Sequence, residues 1–258
     1  MPLKTLLAAT FSLYASGVMA WGNEGHQTVA LIAEATLTPA ARAQVKSILA
    51  LEGDTSLAQV ASWADEIKNN EPGLVSHAVR IPFDADNYDP KRDCSGRGKC
   101  VVYGIEHFEE ELKQPDTSPA ERLRALKFLV HFVGDVHQPL HAIQETGGMQ
   151  AQVGKRQYAL HKIWDTIAIR AMKTPPPELA RQLLATHAQV PQLTPEDWAL
   201  ESHDIAKRYI YSGNKHRADL KAQMAMPRNY LDQISPIIKD RLTAAGIRLG
   251  RVLNNIYR

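Results

Sequence analysis

Cysteine is nearly absent from this sequence: Cys94 and Cys100 are the two in 258 residues. That limits thiol chemistry to one pair. Five residues separate them, two of which are glycines, so the loop closes easily and the spacing predicts a disulfide. A two-thiolate metal site is the competing reading. Excess charge of one sign is also missing. Lys and Arg total 30 against 28 Asp and Glu, a net charge of +2, and removal of the leader described below subtracts only Lys4 (2 − 1 = +1). So balanced a chain does not bind nucleic acid through bulk charge. A phosphate site would need charge gathered locally, which bound metal ions supply. After residue 20 no apolar run is long enough to span a bilayer. Internal repeats, low-complexity runs, a glycine-rich phosphate loop and a nucleophile elbow are all lacking. Val133-Gly134-Asp135 does not have the phosphate-cradling pattern.

What remains is an ordinary globular composition, 44% hydrophobic and 22% charged, in a chain long enough to bury a sizeable core. Residues 1–20 read as a secretory signal: Lys4, an apolar run from Leu6 to Tyr14, then Val18-Met19-Ala20 before the cut. Cleavage there makes Trp21 the new N-terminus, whose free amino group and carbonyl are potential metal ligands. Helical periodicity follows from His26, from Thr38-Pro39, over Ser56–Ile67, and again over Val102–Leu112, 118–138, 159–172, 176–188, 195–211 and 227–257. Residues 71–101 are instead rich in Pro, Gly and Asp and form a long loop region closed by the disulfide. The expected fold is a single all-α domain over 21–258 with that irregular loop.

The richest stretch is His131-Phe132-Val133-Gly134-Asp135-Val136-His137-Gln138-Pro139-Leu140-His141. In helical register His131 and Asp135 are i and i+4, so they leave one face a turn apart. Leu126, Phe128, Leu129, Val130, Phe132, Val133 and Val136 turn that face inward. An unpaired carboxylate there is costly to bury. Imidazoles and a carboxylate meeting in apolar surroundings suit zinc. Pro139 breaks the helix and lets His141 swing back. A structural His–Asp pair is the bland alternative. A second i, i+4 pair, His161 and Asp165, shifts the balance toward a multi-metal site.

These residues resemble the secreted zinc-dependent nucleases of the S-one/P-one type, a family with plant and bacterial members and a fold shared with zinc-dependent phospholipase C. The resemblance spans the mature chain. It rests on Trp21-Gly22-x-x-Gly25-His26, Trp63-Ala64-Asp65, His77, the His131–His141 stretch and His161-x-x-Trp164-Asp165, in the family's order. It implies an all-α fold holding three Zn2+. One would be held by Asp65, His77, His131 and Asp135, and a second by His141, His161 and Asp165. The third would be held by the Trp21 amino nitrogen and carbonyl, His26 and a bridging Asp135. The implied function is endonuclease cleavage of DNA and RNA, with single strands preferred and 3′-nucleotidase activity possible, leaving 5′-phosphates. Asp65 and Asp135 would orient the nucleophile. The remaining histidines, 107, 137, 187, 203 and 216, match no ligand position and read as structural or surface groups.

Four departures touch phosphate and base recognition. Arg80 stands where fungal members carry Asp, Ile167 where they carry Asn, and Ala78 where they carry a base-stacking aromatic. The common Gly-Gly-Asn is Gly147-Gly148-Met149. Arg80 is the candidate replacement phosphate contact, since its planar fork matches a phosphate. Zinc phospholipase C is the alternative function, disfavoured because Asp165 stands where that branch has Glu. A non-catalytic zinc-binding protein is another. Nucleic acid and nucleotides are the expected partners, with no stable membrane association and a monomeric chain as the default.

Overall fold

In the computed structural model, the described residues are 21–68, 75–94, 99–144, 149–186, 189–211 and 224–258. The leader at 1–20, Gly147-Gly148, His187 and His216 lie outside them. The helices in chain order are α1 Asn23–Thr36, α2 Pro39–Leu49, α3 Leu57–Val60, α4 Trp63–Ile67, α5 Pro90–Asp93, α6 Val101–Lys113, α7 Pro119–Val136, α8 Leu160–Lys162, α9 Ala168–Ala171, α10 Pro176–Thr186, α11 Pro195–Ile205 and α12 Tyr230–Ile256. Their starts are written in the sequence. Thr38, Ser118 and Thr194 each accept a backbone N–H in the first turn, with proline just inside the helix. Ser118 with Glu121, and Thr194 with Asp197, complete reciprocal capping boxes.

Helix α7 is the axis of the molecule. From Ala125 to Val136 every residue is buried, as a helix apolar on nearly every face must be. Phe128 and Phe132 on α7 and Phe108 on α6 form one aromatic stack, with Phe108 and Phe128 centroids 4.7 Å apart. On another side α12 packs against α1. Gly246 and Gly250 permit that approach, because a Cβ on either would run into Ile32 or Thr36 of α1. The N-terminal helix, which carries His26, is thereby fixed relative to the core.

The helical expectation holds, with local departures. Residues 56–67 are not one helix but α3 and α4, separated by a turn at Ala61-Ser62. Residues 159–172 are not one regular helix either: α8 and α9 flank a π-helical segment, Ile163–Ile167. A second π-helical segment, Ala206–Ile210, ends the 195–211 run. A small sheet also forms, with strand order β2-β1-β3. Strands β1 Gln150–Val153 and β2 Arg156–Ala159 pair antiparallel across a tight turn where Gly154 adopts φ +60°. Strand β3, Met224–Ala225, pairs parallel with β1. Cys94 and Cys100 form the expected disulfide, joining the end of α5 to the start of α6. Among the described residues no helix is long and apolar enough to cross a membrane.

Candidate metal centre

The C-terminal end of α7 delivers His131 and Asp135 into the interior, where neither is accessible to solvent. Asp65 arrives from α4 and His26 from the first turns of α1, both buried. His77 comes from an extended segment clamped by backbone hydrogen bonds. Val79 N donates to His141 O at 2.8 Å, Arg80 N to Asp93 O at 3.0 Å, and Gln144 N to Ile81 O at 2.8 Å. After α7, Gln138 caps the short helical turn Pro139–His141, which returns His141 toward the same region. His161 on α8 and Asp165 in the π-helical segment complete the set. Such π segments occur frequently at functional sites.

Three groups of side chains, the first two sharing His131, have ligand atoms close enough to share an ion: His26, His131 and Asp135; Asp65, His77 and His131; His141, His161 and Asp165. In the first two groups, His77 Nδ1 lies 2.9 Å from Asp135 Oδ2 and 3.7 Å from Asp65 Oδ1. His131 Nε2 lies 3.3 Å from Asp135 Oδ2, 3.1 Å from His77 Nδ1 and 3.8 Å from Asp65 Oδ2. His26 Nε2 meets the other Asp135 oxygen, Oδ1, at 3.4 Å. Two ligands held about 2.0–2.2 Å from one tetrahedral ion stand roughly 3.3–3.6 Å apart, so the spacing suits coordination. Hydrogen bonding does not account for it. Both Asp135 oxygens, Asp65 Oδ2, His26 Nε2 and His141 Nε2 are buried without a well-aligned hydrogen-bond partner. Buried polar atoms are rarely left so. The donor set, imidazole and carboxylate, fits zinc.

The surrounding backbone fixes which imidazole nitrogen faces inward. His131 Nδ1 sits 2.7 Å from Ala61 O and His141 Nδ1 sits 2.8 Å from His77 O, leaving each Nε2 directed at the cluster. Gln138 Nε2 donates to Asp165 Oδ1, and Lys68 Nζ donates to Asp65 Oδ1 at 2.9 Å. Sequence reasoning did not single out Gln138 or Lys68 as orienting groups. Lys68 could have been flagged by its i, i+3 spacing from Asp65; Gln138 gives no local signal.

Electrostatics follow from this crowding. Burial alone would raise the Asp135 pKa, but the crowding imidazoles, His131 first and then His26 and His77, hold it well below the usual range. Burial and the neighbouring His131 lower that of His26. For His131 burial is outweighed by Asp135 and Asp65, and its pKa rises. His141 is lowered to about 4 by burial and by His161, so its lone pair is available at neutral pH.

Trp21 is fully buried, and its indole N–H donates to Gly134 O at 2.9 Å. Gly22 N donates to Asp165 O at 2.7 Å. The chain at residue 21 is thus tied to the residue before Asp135 and, one position on, to Asp165. Gly134 has its own reason to be glycine: a Cβ there would stand 2.8 Å from His26 Nδ1. Alanine is the better helix former, yet Gly134→Ala is expected to push the His26 ring off Asp135 and weaken metal binding by roughly 10–100-fold, the scale of a displaced supporting contact. Zinc titration against a competing chelator checks this, with wild-type affinity as the contrary result.

Arg80 is exposed on the strand-like segment that carries His77, and is not drawn into the cluster. His137 and His203 are buried and satisfied by Val133 O and Pro82 O, and His107 is exposed beside Glu111. None of the three belongs to the groups of candidate ligands.

A family model described as S1/P1 nuclease matches residues 21–258. The chain belongs to the S1/P1 nuclease family. Its relatives include Endonuclease 4 of Arabidopsis thaliana, 32% identical with 94% of this chain and 91% of that protein aligned. Nuclease S1 of Aspergillus oryzae is 36% identical over 64% of this chain and 59% of its own length. Nuclease P1 of Penicillium citrinum is 35% identical over 57% of each. As a member of the S1/P1 family the chain is a hydrolytic nuclease, and its mostly helical fold agrees with that membership.

Proposed function

We propose that residues 21–258 form a secreted or periplasmic endonuclease that hydrolyses DNA and RNA through a three-zinc site, preferring single strands and leaving 5′-phosphates. The single observation carrying this reading is the split environment of Asp135. One oxygen faces His77 and His131 while the other faces His26, so Asp135 would offer one oxygen to each of two ions. Asp65, His77, His131 and Asp135 would hold one zinc, and His141, His161 and Asp165 a second. His26, Asp135 and the Trp21 amino and carbonyl groups would hold the third. The leader at 1–20 must then be removed to free the Trp21 amine. The chain would act as a monomer without stable membrane association.

Bound zinc supplies Lewis-acid stabilisation of phosphoryl oxygens and brings water toward deprotonation near neutral pH. The protein's part is positional. Asp65 and Asp135 orient the attacking water in line with the bond from phosphorus to the 3′ oxygen, which breaks as water adds. Lys68 and Gln138 hold Asp65 and Asp165 in place. Ligand imidazoles must be neutral to bind metal, so metal is expected to be lost in acid.

The test is release of acid-soluble nucleotides from single-stranded DNA by the chain beginning at Trp21, with and without a chelator. Chelator-sensitive release is expected. Phosphatidylcholine hydrolysis exceeding DNA hydrolysis would move the assignment to phospholipase C. Arg80 supplies a phosphate contact in this reading. Arg80→Ala is expected to lower kcat/KM for oligonucleotides about tenfold, the ~1.4 kcal/mol of one hydrogen bond to a charged group, with zinc content unchanged. An unaltered kcat/KM removes Arg80 from the site.

A further inference from the structure

Within the buried stretch of α7, Ala125 to Val136, only Lys127, His131 and Asp135 have polar side chains. They recur every fourth residue and so form one slanting stripe along a face of the helix. His131 and Asp135 belong to the candidate metal centre. Lys127 does not. It lies one turn before His131 at 2% exposure, where a lone cation is costly.

Lys127 Nζ meets two groups outside α7. It donates to Glu52 Oε2 in the helical turn Ala50–Glu52, and it lies 4.9 Å from the centroid of the Trp63 ring, within cation–π range. Trp63 opens α4 and stands two residues before Asp65. Phe128 meets the same indole edge-on at 5.2 Å. The next member of the stripe, His131, holds Ala61 O through Nδ1 at 2.7 Å. Successive turns of α7 thus grip residues 61–63, and Ser62 Oγ donates to Asn23 Oδ1 of α1 at 2.9 Å.

Helix α4 depends on such holding. It is five residues long and its N-cap, Ser62, makes no side-chain cap. A single turn of helix is not stable by itself. Apolar contact with α7 would hold it without direction. Glu52 is 57% exposed, so the ion pair contributes little, and an apolar side chain at 127 would avoid the cost of burying a charge. What the cation adds is direction. It fixes where the indole sits and, two residues on, where the Asp65 carboxylate sits.

We propose that Lys127 is a positioning residue for the metal centre, setting Asp65 at the zinc position it would share with His77, His131 and Asp135. Lys127 acts through Trp63 and α4 and touches neither metal nor substrate. This inference rests on the three-zinc reading above.

Zinc retention against a graded series of chelator concentrations tests it, together with the melting temperature of the metal-free chain. Lys127→Met keeps an unbranched stem and removes the charge. It is expected to weaken one zinc position 10–100-fold, the scale of a displaced supporting group, while two ions per chain stay bound as in wild type. The metal-free melting temperature is expected to match or exceed that of wild type, because a buried charge has been replaced by an apolar group. Trp63→Leu is expected to weaken the same ion, and the double variant to be no worse than the more affected single, since both act through one contact. Wild-type zinc affinities in Lys127→Met would sink this inference alone. So would a lower metal-free melting temperature with all three ions lost alike, for Lys127 would then serve the fold only. Additive losses in the double variant would remove Trp63 as the link. A wild-type chain that retains no zinc would sink the three-zinc reading and this inference with it.

Discussion

Asp135→Asn is expected to reduce kcat/KM on single-stranded DNA on the order of 10³-fold or more while the helical fold is retained. Asp135 is wholly buried and sits among His26, His77 and His131, with an oxygen toward each side of the cluster. Asparagine preserves the shape but removes the charge and one anionic ligand atom, so the two metal positions proposed beside Asp135 would be weakened together. Loss of Lewis-acid stabilisation amounts to several kcal/mol of transition-state energy, and about 4 kcal/mol corresponds to three powers of ten. The fold has no comparable need of the carboxylate, because without metal Asp135 is a buried charge with costs of its own. Steady-state kinetics, zinc analysis and circular dichroism on the same preparation separate the two effects. Near-normal kinetics in this variant would remove Asp135 from the centre of the mechanism.

Glu201→Ala carries the largest expected effect on stability. Arg241 and Arg248 are nearly inaccessible, at 5% and 2% of their surface, and both lean on this carboxylate. Removing one partner of a buried ionic group costs about 3–5 kcal/mol because the remaining charge is left uncompensated. For a chain of this size each kcal/mol moves Tm by about 2–4 °C, so a fall of roughly 6–20 °C is expected. Glu201 is itself partly exposed, which favours the lower end. Glu201→Gln keeps an acceptor and should lose less. A thermal scan showing both variants within about 2 °C of wild type would mean that the arginines find other compensation. The network matters for the site because Ser202 Oγ donates to Val136 O and Arg241 Nε to His137 O, at the end of α7.

How much of this could be read in advance follows from the range of each signal. His131–Asp135 was legible because helical register alone puts i and i+4 on one face, and the apolar residues around them show which way that face points. His161–Asp165 shows the same spacing, yet the backbone beneath it is a π-helical segment that periodicity cannot distinguish from a regular helix. His77 and Asp65 carry no local mark. They lie on separate short elements whose approach to α7 depends on tertiary hydrogen bonds such as Val79 N to His141 O, and only the family resemblance pointed to them. The small sheet escaped notice since its strands run two to four residues, too short for an alternating pattern. Helix starts fared better: Thr38-Pro39 and Ser118-Pro119 with Glu121 state their caps within four residues. The Glu201–Arg241–Arg248 network spans 47 positions and has no sequence signature at all.

In the proposed function three zinc ions would occupy this cluster, with Asp135 between two of them. An anomalous difference map at the zinc edge, from crystals of the chain beginning at Trp21, tests it most directly. Three peaks are expected: one among Asp65, His77, His131 and Asp135, one among His141, His161 and Asp165, and one between His26, Asp135 and the Trp21 amino group. Zinc-loaded crystals with no peak touching Asp135 would contradict it.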